Sequence, residues 1–205
     1  MSYQGLFADQ LTEDFHNHYR DPGPPRVRWL GVEALKCPMD MWMYQELIVE
    51  LRPSLIVEGG TCAGGSALFM ATILDCLGTG HIITMDFDED PHRPKHPRIE
   101  QVIGNTLDHK IVSHVKERAK AFSGPRMLIL DDGHSHEHVA EELHLYHDLL
   151  KQGDILIVED TNLGGPLWGF ESFMARHPER EWQRMTYAER LLLTFNPKGY
   201  YRCAK

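Results

Sequence analysis

The sequence predicts an α/β fold built on a doubly wound, mostly parallel sheet, and two observations carry that prediction. Short aliphatic runs recur along the chain: Leu55-Ile56-Val57, His81-Ile82-Ile83-Thr84-Met85, Val102-Ile103, Met127-Leu128-Ile129-Leu130 and Ile155-Leu156-Ile157-Val158. They are apolar on both alternating faces, as strands covered from two sides must be. Between them, residues 66–77, 107–122 and 135–150 place apolar side chains at helical spacing. Strand and helix in alternation give a parallel sheet, and right-handed crossovers collect the loops that follow the strands along one edge, where ligands bind.

Residues 6–19 begin a helix that Asp21-Pro22-Gly23-Pro24-Pro25 must break, so residues 1–37 read as a mobile N-terminal cap segment and 38–205 as the domain proper. Residues 38–50 form a helix leading into the first strand. After the fifth strand, residues 170–177 read as a helix. Two β-like runs follow, 182–187 and 191–203, the second interrupted by an Asn196-Pro197-Lys198-Gly199 turn. An antiparallel pair closing the sheet is expected there.

With 205 residues, 42% hydrophobic and 25% charged, the chain has enough apolar material for one core without disulfide or zinc support. Its 21 basic residues against 30 acidic ones give a net charge of −9, and no stretch concentrates Lys and Arg among aromatics. Nucleic acid is therefore not the expected partner. The first residues, with Asp9, Glu13 and Asp14, lack the basic flank and apolar centre of a signal peptide, and no run approaches the ~18 apolar residues of a membrane span. The expected location is cytoplasmic. Cys37, Cys62, Cys76 and Cys203 are too scattered for a C-x-x-C motif and are expected to be free thiols filling space.

The most informative segment is Glu58-Gly59-Gly60-Thr61-Cys62-Ala63-Gly64-Gly65-Ser66, a strand passing through glycines into a helix. It has the glycine spacing of a P-loop, but Gly65 stands where the phosphate-binding Lys belongs, and G-x-G-x-x-G cannot be placed on it. Glu58 at the strand end can meet a cationic amino-acid group. Asp86, closing the next strand, can accept hydrogen bonds from a ribose diol. An ammonium, a sulfonium and a ribose without phosphate describe S-adenosylmethionine, although glycines also serve simply to tighten such a turn. Two further strand ends carry acids, Asp131-Asp132 and Glu159-Asp160. If those strands are neighbours, about 4.8 Å apart, their carboxylates share a hard divalent ion such as Mg²⁺. Asp131, Glu159 and Asp160 are the expected ligands, with Asp132 competing for the first place. His134 is either a general base beside that ion or a capping imidazole. His134 and His138, four residues apart, also admit a zinc reading, although H-E-x-x-H is absent.

Taken together, Trp29-Leu30-Gly31, Lys36-Cys37-Pro38-Met39-Asp40, Tyr44-Gln45-Glu46, Glu58-Gly59-Gly60 with Gly64-Gly65-Ser66, Leu130-Asp131 with His134, Glu159-Asp160 and Asn196-Pro197-Lys198-Gly199-Tyr200 resemble the cephalosporin hydroxylase family. The resemblance runs from Trp29 to Arg202. It implies a Rossmann-like class I methyltransferase fold with a seven-stranded sheet whose last strand is antiparallel. It also implies S-adenosylmethionine bound at Glu58, Gly59, Gly60, Gly64, Gly65, Ser66, Asp86 and Asp131, and a divalent ion at Asp131, Glu159 and Asp160. His134 would take a proton from a small hydroxylated acceptor, a natural product or a sugar, and a homodimer is the expected assembly. Lys36 and Trp29 either cover the site or are a surface lysine and a core tryptophan. Trp168 and Trp182 line an acceptor pocket or belong to the core. Competing functions are a nicotinamide oxidoreductase, an iron hydroxylase on His134, His138 and Asp131, and a cofactor-binding accessory subunit without chemistry of its own.

Overall fold

The structure, a computed structural model, describes residues 3–20 and 27–205, with side chains of residues 10–18 in the first stretch. The proline break expected at 21–25 lies outside the described residues. Helix α1 (Tyr3–Arg20) leads the chain. It docks late in the sequence, where the Phe15 and Phe195 rings lie 5.6 Å apart and the His16 ring reaches the Thr194 carbonyl at 2.8 Å. Strands β1 (Val27–Trp29) and β2 (Val32–Ala34) then form an antiparallel hairpin that sequence reading missed. Its turn uses positive φ at Leu30 and Gly31, and a Leu in that role carries none of the Asn-Gly signal by which such turns are recognised. Trp29 packs edge-on against Phe69, so the hairpin is fastened to the helix after the glycine loop.

Helix α2 (Pro38–Leu51) has Pro in its first turn, where no backbone donor is lost, and stops at Arg52 with φ 50°. The main sheet then assembles from β3 (Leu55–Gly59), β4 (His81–Asp86), β5 (Ile99–Ile103), β6 (Arg126–Leu130), β7 (Ile155–Val158), β8 (Trp182–Arg184) and β9 (Tyr200–Cys203). The helices between are α3 (Gly65–Leu77), α4 (His109–Ala119), α5 (His136–Tyr146) and α6 (Gly165–Arg176). Strand order is β5-β4-β3-β6-β7-β9-β8. The first five strands are parallel, and β9 runs antiparallel between β7 and β8. The expected seven-stranded sheet with an antiparallel last strand is thus present.

Alternation along the strands divides the core into two layers. Ile56, Ile82, Ile129 and Ile157 face α2 and α3, whereas Val57, Ile83, Leu128 and Leu156 face α4, α5 and α6. This two-sided burial is why the strands read as unbroken apolar runs. One expectation fails: residues 191–195 are not a strand, and a 3-10 turn at Thr186–Glu189 follows β8. Leu192 has φ 66°, outside the β region, and the backbone N–H of Phe195 and the hydroxyl of Thr194 donate to Asp40 on α2. A side chain thus takes the hydrogen bonding a ladder would otherwise supply.

Because the chain runs β3-β4-β5 in one direction and returns to place β6 and β7 on the other side of β3, the sheet has a switch point between β3 and β6. Crevices open at the carboxyl ends of strands at such points.

Candidate active site

A cleft of about 860 Å³ lies at that switch point. Gly60, Cys62, Asp86, Asp131, His134 and Asp160 are among its lining residues. Gly60 has φ 91°, and a Cβ there would stand 2.2 Å from the Asp131 carbonyl oxygen, so only glycine lets β3 leave beside β6. Loop donors are consumed internally: Gly60 and Thr61 N–H bond the Met85 carbonyl, Gly64 N–H bonds Thr61, and Cys62 N–H donates to Asp86 Oδ2 at 2.7 Å. These four donors are not free for a phosphate, in keeping with the missing P-loop lysine. Asp86 is further held by Arg93 at 3.0 Å, and Arg93 Nε donates to the Cys62 carbonyl. Arg93, buried in the 86–93 loop, joins the two loops that wall the cleft, and nothing in its local sequence marks it.

Other loop residues are spent on packing. Gly64 lies against Pro94, Gly65 against the Glu33 carbonyl of the hairpin, and Ser66 is buried at the start of α3. Gly59 sits over Glu142. The structure does not bring Glu58 to the cleft wall, because strand alternation turns it with Ile56 toward α3. It is fully buried and accepts a hydrogen bond from the Thr84 hydroxyl at 2.7 Å. Burial raises its pKa, with Lys36 opposing that rise.

The strand-end acids separate into two groups. Asp131, His134 and Asp160 bring one ligand atom each within 4.8 Å of one another, and the His134 Nε2 to Asp160 Oδ2 distance is 2.7 Å. Asp160 has φ 54°, and its N–H donates to Asn196 Oδ1 at 2.9 Å. The Asn196-Pro197-Lys198-Gly199 turn clamps the exit of β7 further through Val158 N–H to the Gly199 carbonyl and the Thr161 hydroxyl to the Pro197 carbonyl. Hydrogen bonding to Asp160 raises the pKa of His134.

Glu159, the third expected ligand, turns inward instead. Its Oε1 accepts from the Tyr44 hydroxyl and from Lys36 Nζ at 2.7 Å, and the same ammonium pairs with Asp131. Lys36 is not a surface lysine: its side chain is 2% exposed. Burial acts to lower its pKa, but the charges of Asp131, Glu159 and Glu58 outweigh that and leave it raised. Burial raises Asp131, and it lifts Glu159 to about 7 against the pull of Lys36. An ammonium already lodged between two strand-end carboxylates is a direct sign that this place accepts positive charge, and the oxygen-rich donor set suits a hard divalent ion. Behind it, Asp40 accepts hydrogen bonds from Thr194 and Tyr200.

Asp132, the alternative first ligand, faces the other way. It accepts from the Thr106 hydroxyl, the Gly133 N–H and His138. Burial works to raise it, but His138 and Thr106 hold it down at about 2. His134 and His138 therefore belong to different clusters, and the two-histidine zinc or iron set is not assembled. Sequence reading gave Lys36 as covering the site in one of two alternatives but not as an ion-pair partner of Asp131 and Glu159, and it gave no role to Tyr44 or Glu142. Asp40 and Tyr44, polar side chains four apart on the inner face of an apolar helix, were the available signal. Trp182 packs against Phe170 and Phe173, whereas Trp168 is exposed. Of the cysteines, Cys62 and Cys76 are exposed rather than core.

Sheet order, antiparallel β9 and a cleft at the β3/β6 switch point define a class I methyltransferase architecture. The structure of CmcI with Mg and SAM superposes with a TM-score of 0.69 at 24% identity, covering 87% of this chain and 77% of that one. The family described as Rhamnosyl O-methyltransferase/CmcI matches residues 25–204, and the chain belongs to it. A rhamnosyl O-methyltransferase of Mycobacterium tuberculosis is 34% identical over 163 residues, which is 77% of this chain and 66% of the relative. That of Mycobacterium leprae is 35% identical over 163 residues, 77% of this chain and 71% of its own length. Among the described residues no helix is long and apolar enough to cross a membrane.

Proposed function

We propose that this chain is an S-adenosylmethionine-dependent, divalent-metal-dependent O-methyltransferase whose acceptor is a hydroxyl of a sugar or of a sugar-bearing natural product. The observation that carries the reading is the meeting of Asp131, His134 and Asp160 at the mouth of the switch-point cleft. The rhamnosyl O-methyltransferase names of the relatives support a deoxysugar acceptor. When bound, S-adenosylmethionine supplies a transferable methyl group and a hard divalent ion lowers the pKa of the acceptor hydroxyl.

The chain's own residues do the positioning. Gly60 and Cys62 offer a close backbone wall, and Asp86, fixed by Arg93, has lone pairs left for a ribose diol. Asp131 and Asp160 hold the ion, and Glu159 completes the set if Lys36 releases it. His134, with Nε2–H donated to Asp160, keeps its other ring nitrogen as acceptor for the hydroxyl proton. Fixing donor and acceptor in one cleft supplies much of the acceleration.

Calorimetric titration with S-adenosylmethionine, followed by methyl transfer to a methyl rhamnoside with and without Mg²⁺, tests the reading. Micromolar binding, about −8 kcal/mol, with Mg²⁺-dependent transfer lost in Asp131→Asn, is expected. No heat with S-adenosylmethionine overturns it.

A further inference from the structure

The cluster of Asp132, His138 and Glu142 has no part in the transfer just described. His138 and Glu142 stand four residues apart on α5 and share a face, and that face meets the exit of β6 at Asp132. One ligand atom from each of the three lies within 4.8 Å of the others. Glu142 is 0% exposed, and neither of its carboxylate oxygens has a hydrogen-bond partner among the described residues. Around Asp132 stand the Thr106 hydroxyl, the Gly133 N–H and His138. The ion pair at Asp132 is with His138, and the described residues place no Lys or Arg in an ion pair with either acid. One fully buried carboxylate, Glu142, thus faces the part-exposed Asp132, which lines the cleft with His138, and among the described residues the imidazole is the one cationic partner, although buried charges are ordinarily paired or coordinate metals.

We propose that Asp132, His138 and Glu142 form a second cation site, separate from that at Asp131 and Asp160, which takes a first-row divalent transition-metal ion of the Zn²⁺ or Mn²⁺ kind. Two carboxylates and a neutral imidazole balance a double positive charge, and a mixed nitrogen and oxygen donor set favours such an ion over Mg²⁺ or Ca²⁺. The zinc reading of the histidine spacing returns here with a different partner: Glu142, four residues after His138, takes the place of His134, four residues before it. The site also lies beneath the cofactor loop. A Cβ on Gly59 would come 2.7 Å from Glu142 Oε1 and 3.5 Å from Asp132 Cγ. An ion there ties α5 to the ends of β3 and β6, where the glycine loop begins.

The test counts ions. Chelator-stripped protein is titrated with Zn²⁺ by calorimetry, and retained metal is measured after dialysis, in the wild type, in Asp160→Asn and in Asp160→Asn combined with Glu142→Gln or His138→Asn. Asp160→Asn is expected to keep one Zn²⁺ per chain. Adding Glu142→Gln, a near-isosteric change, should weaken that equivalent by more than the about 10–100-fold that loss of an outer partner costs, with His138→Asn acting alike. The rival is a protonated Glu142 donating a hydrogen bond to Asp132, which Gln imitates. Asp160→Asn protein that retains no Zn²⁺, or triads whose loss leaves the retained equivalent unchanged, overturns the proposal.

Discussion

Replacing Lys36 with Met removes an ammonium and keeps most of its stem. In the wild type that ammonium contacts Glu159 at 2.7 Å and also pairs with Asp131, with the Lys36 and Glu159 side chains 2% and 3% exposed. Removing one partner of a buried pair leaves an uncompensated charge and costs about 3–5 kcal/mol. For a domain near 200 residues that lowers Tm by about 6–20 °C. The loss has a pH signature. An acid whose folded pKa is raised binds protons more readily folded than unfolded, so its contribution is favourable at low pH and is lost as pH rises through the folded value. Glu159 already stands near 7 against a reference of 4.5 with Lys36 present, and the variant removes the charge that opposes burial. The stability deficit of Lys36→Met should therefore stay level from pH 4.5 to about 7, where Glu159 is protonated in both folded proteins, and grow above that. Mg²⁺ should recover more of the variant's Tm than of the wild type's, since the ion no longer competes with an ammonium. Differential scanning calorimetry of metal-stripped protein across that range measures all three. A Tm within about 2 °C of wild type at pH 8, or a deficit independent of pH, refutes the charge-compensation account, because the change would then fall well short of a broken buried pair.

Gly60→Ala places a methyl group 2.2 Å from the Asp131 carbonyl at a position of φ 91°, and it should abolish detectable S-adenosylmethionine binding by calorimetry and lower Tm; unchanged affinity would contradict the loop geometry. Asn196→Ala removes the acceptor of the Asp160 N–H and should cost about 1–3 kcal/mol in urea unfolding, with a weaker Mg²⁺ affinity that Asn196→Asp partly restores. His147 has its pKa lowered to about 4 by burial and then by His177 and Arg180, so stability present above 6.5 is lost as pH falls toward 4. Its Nδ1 has no hydrogen-bond partner among the described residues. His147→Phe should accordingly flatten the acid limb of the Tm profile by about 1 kcal/mol after solvent screening, and an unaltered profile would show that another group governs it.

The buried strands were legible because both faces are apolar, and the ligand-binding edge at their carboxyl ends followed from their alternation with helices, whereas the switch point rests on the strand order the structure shows. The hairpin at 27–34 was not legible, since its turn depends on a Leu at positive φ. The burial of Lys36 between two acids was hidden for a different reason. A lysine is ordinarily solvated, and only the tertiary meeting of the hairpin's exit with the ends of β6 and β7 supplies the two carboxylates that make its burial tolerable. Residues 191–195 carry strand-like apolar composition, yet their backbone bonds to Asp40, an acid some 150 positions earlier.

The same limit explains the acids. Asp131 and Asp132 are consecutive at a strand end, so they point to opposite sides of the sheet, and composition gives no way to say which goes where. The side matters chemically: one side offers Lys36 and Asp160, the other His138 and Glu142. A one-residue slip of β6 would exchange the two acids and with them the character of both clusters. What holds them in place is the pairing of Gly59 with Leu130 and of Leu130 with Val158, together with the Asp131 N–H to Gly59 carbonyl and Glu159 N–H to Leu130 carbonyl hydrogen bonds just beyond. The glycine at 60 permits that close pairing of β3 with β6. The loop that walls the cofactor cleft and the register that assigns each carboxylate to its cluster are thus set by one backbone contact.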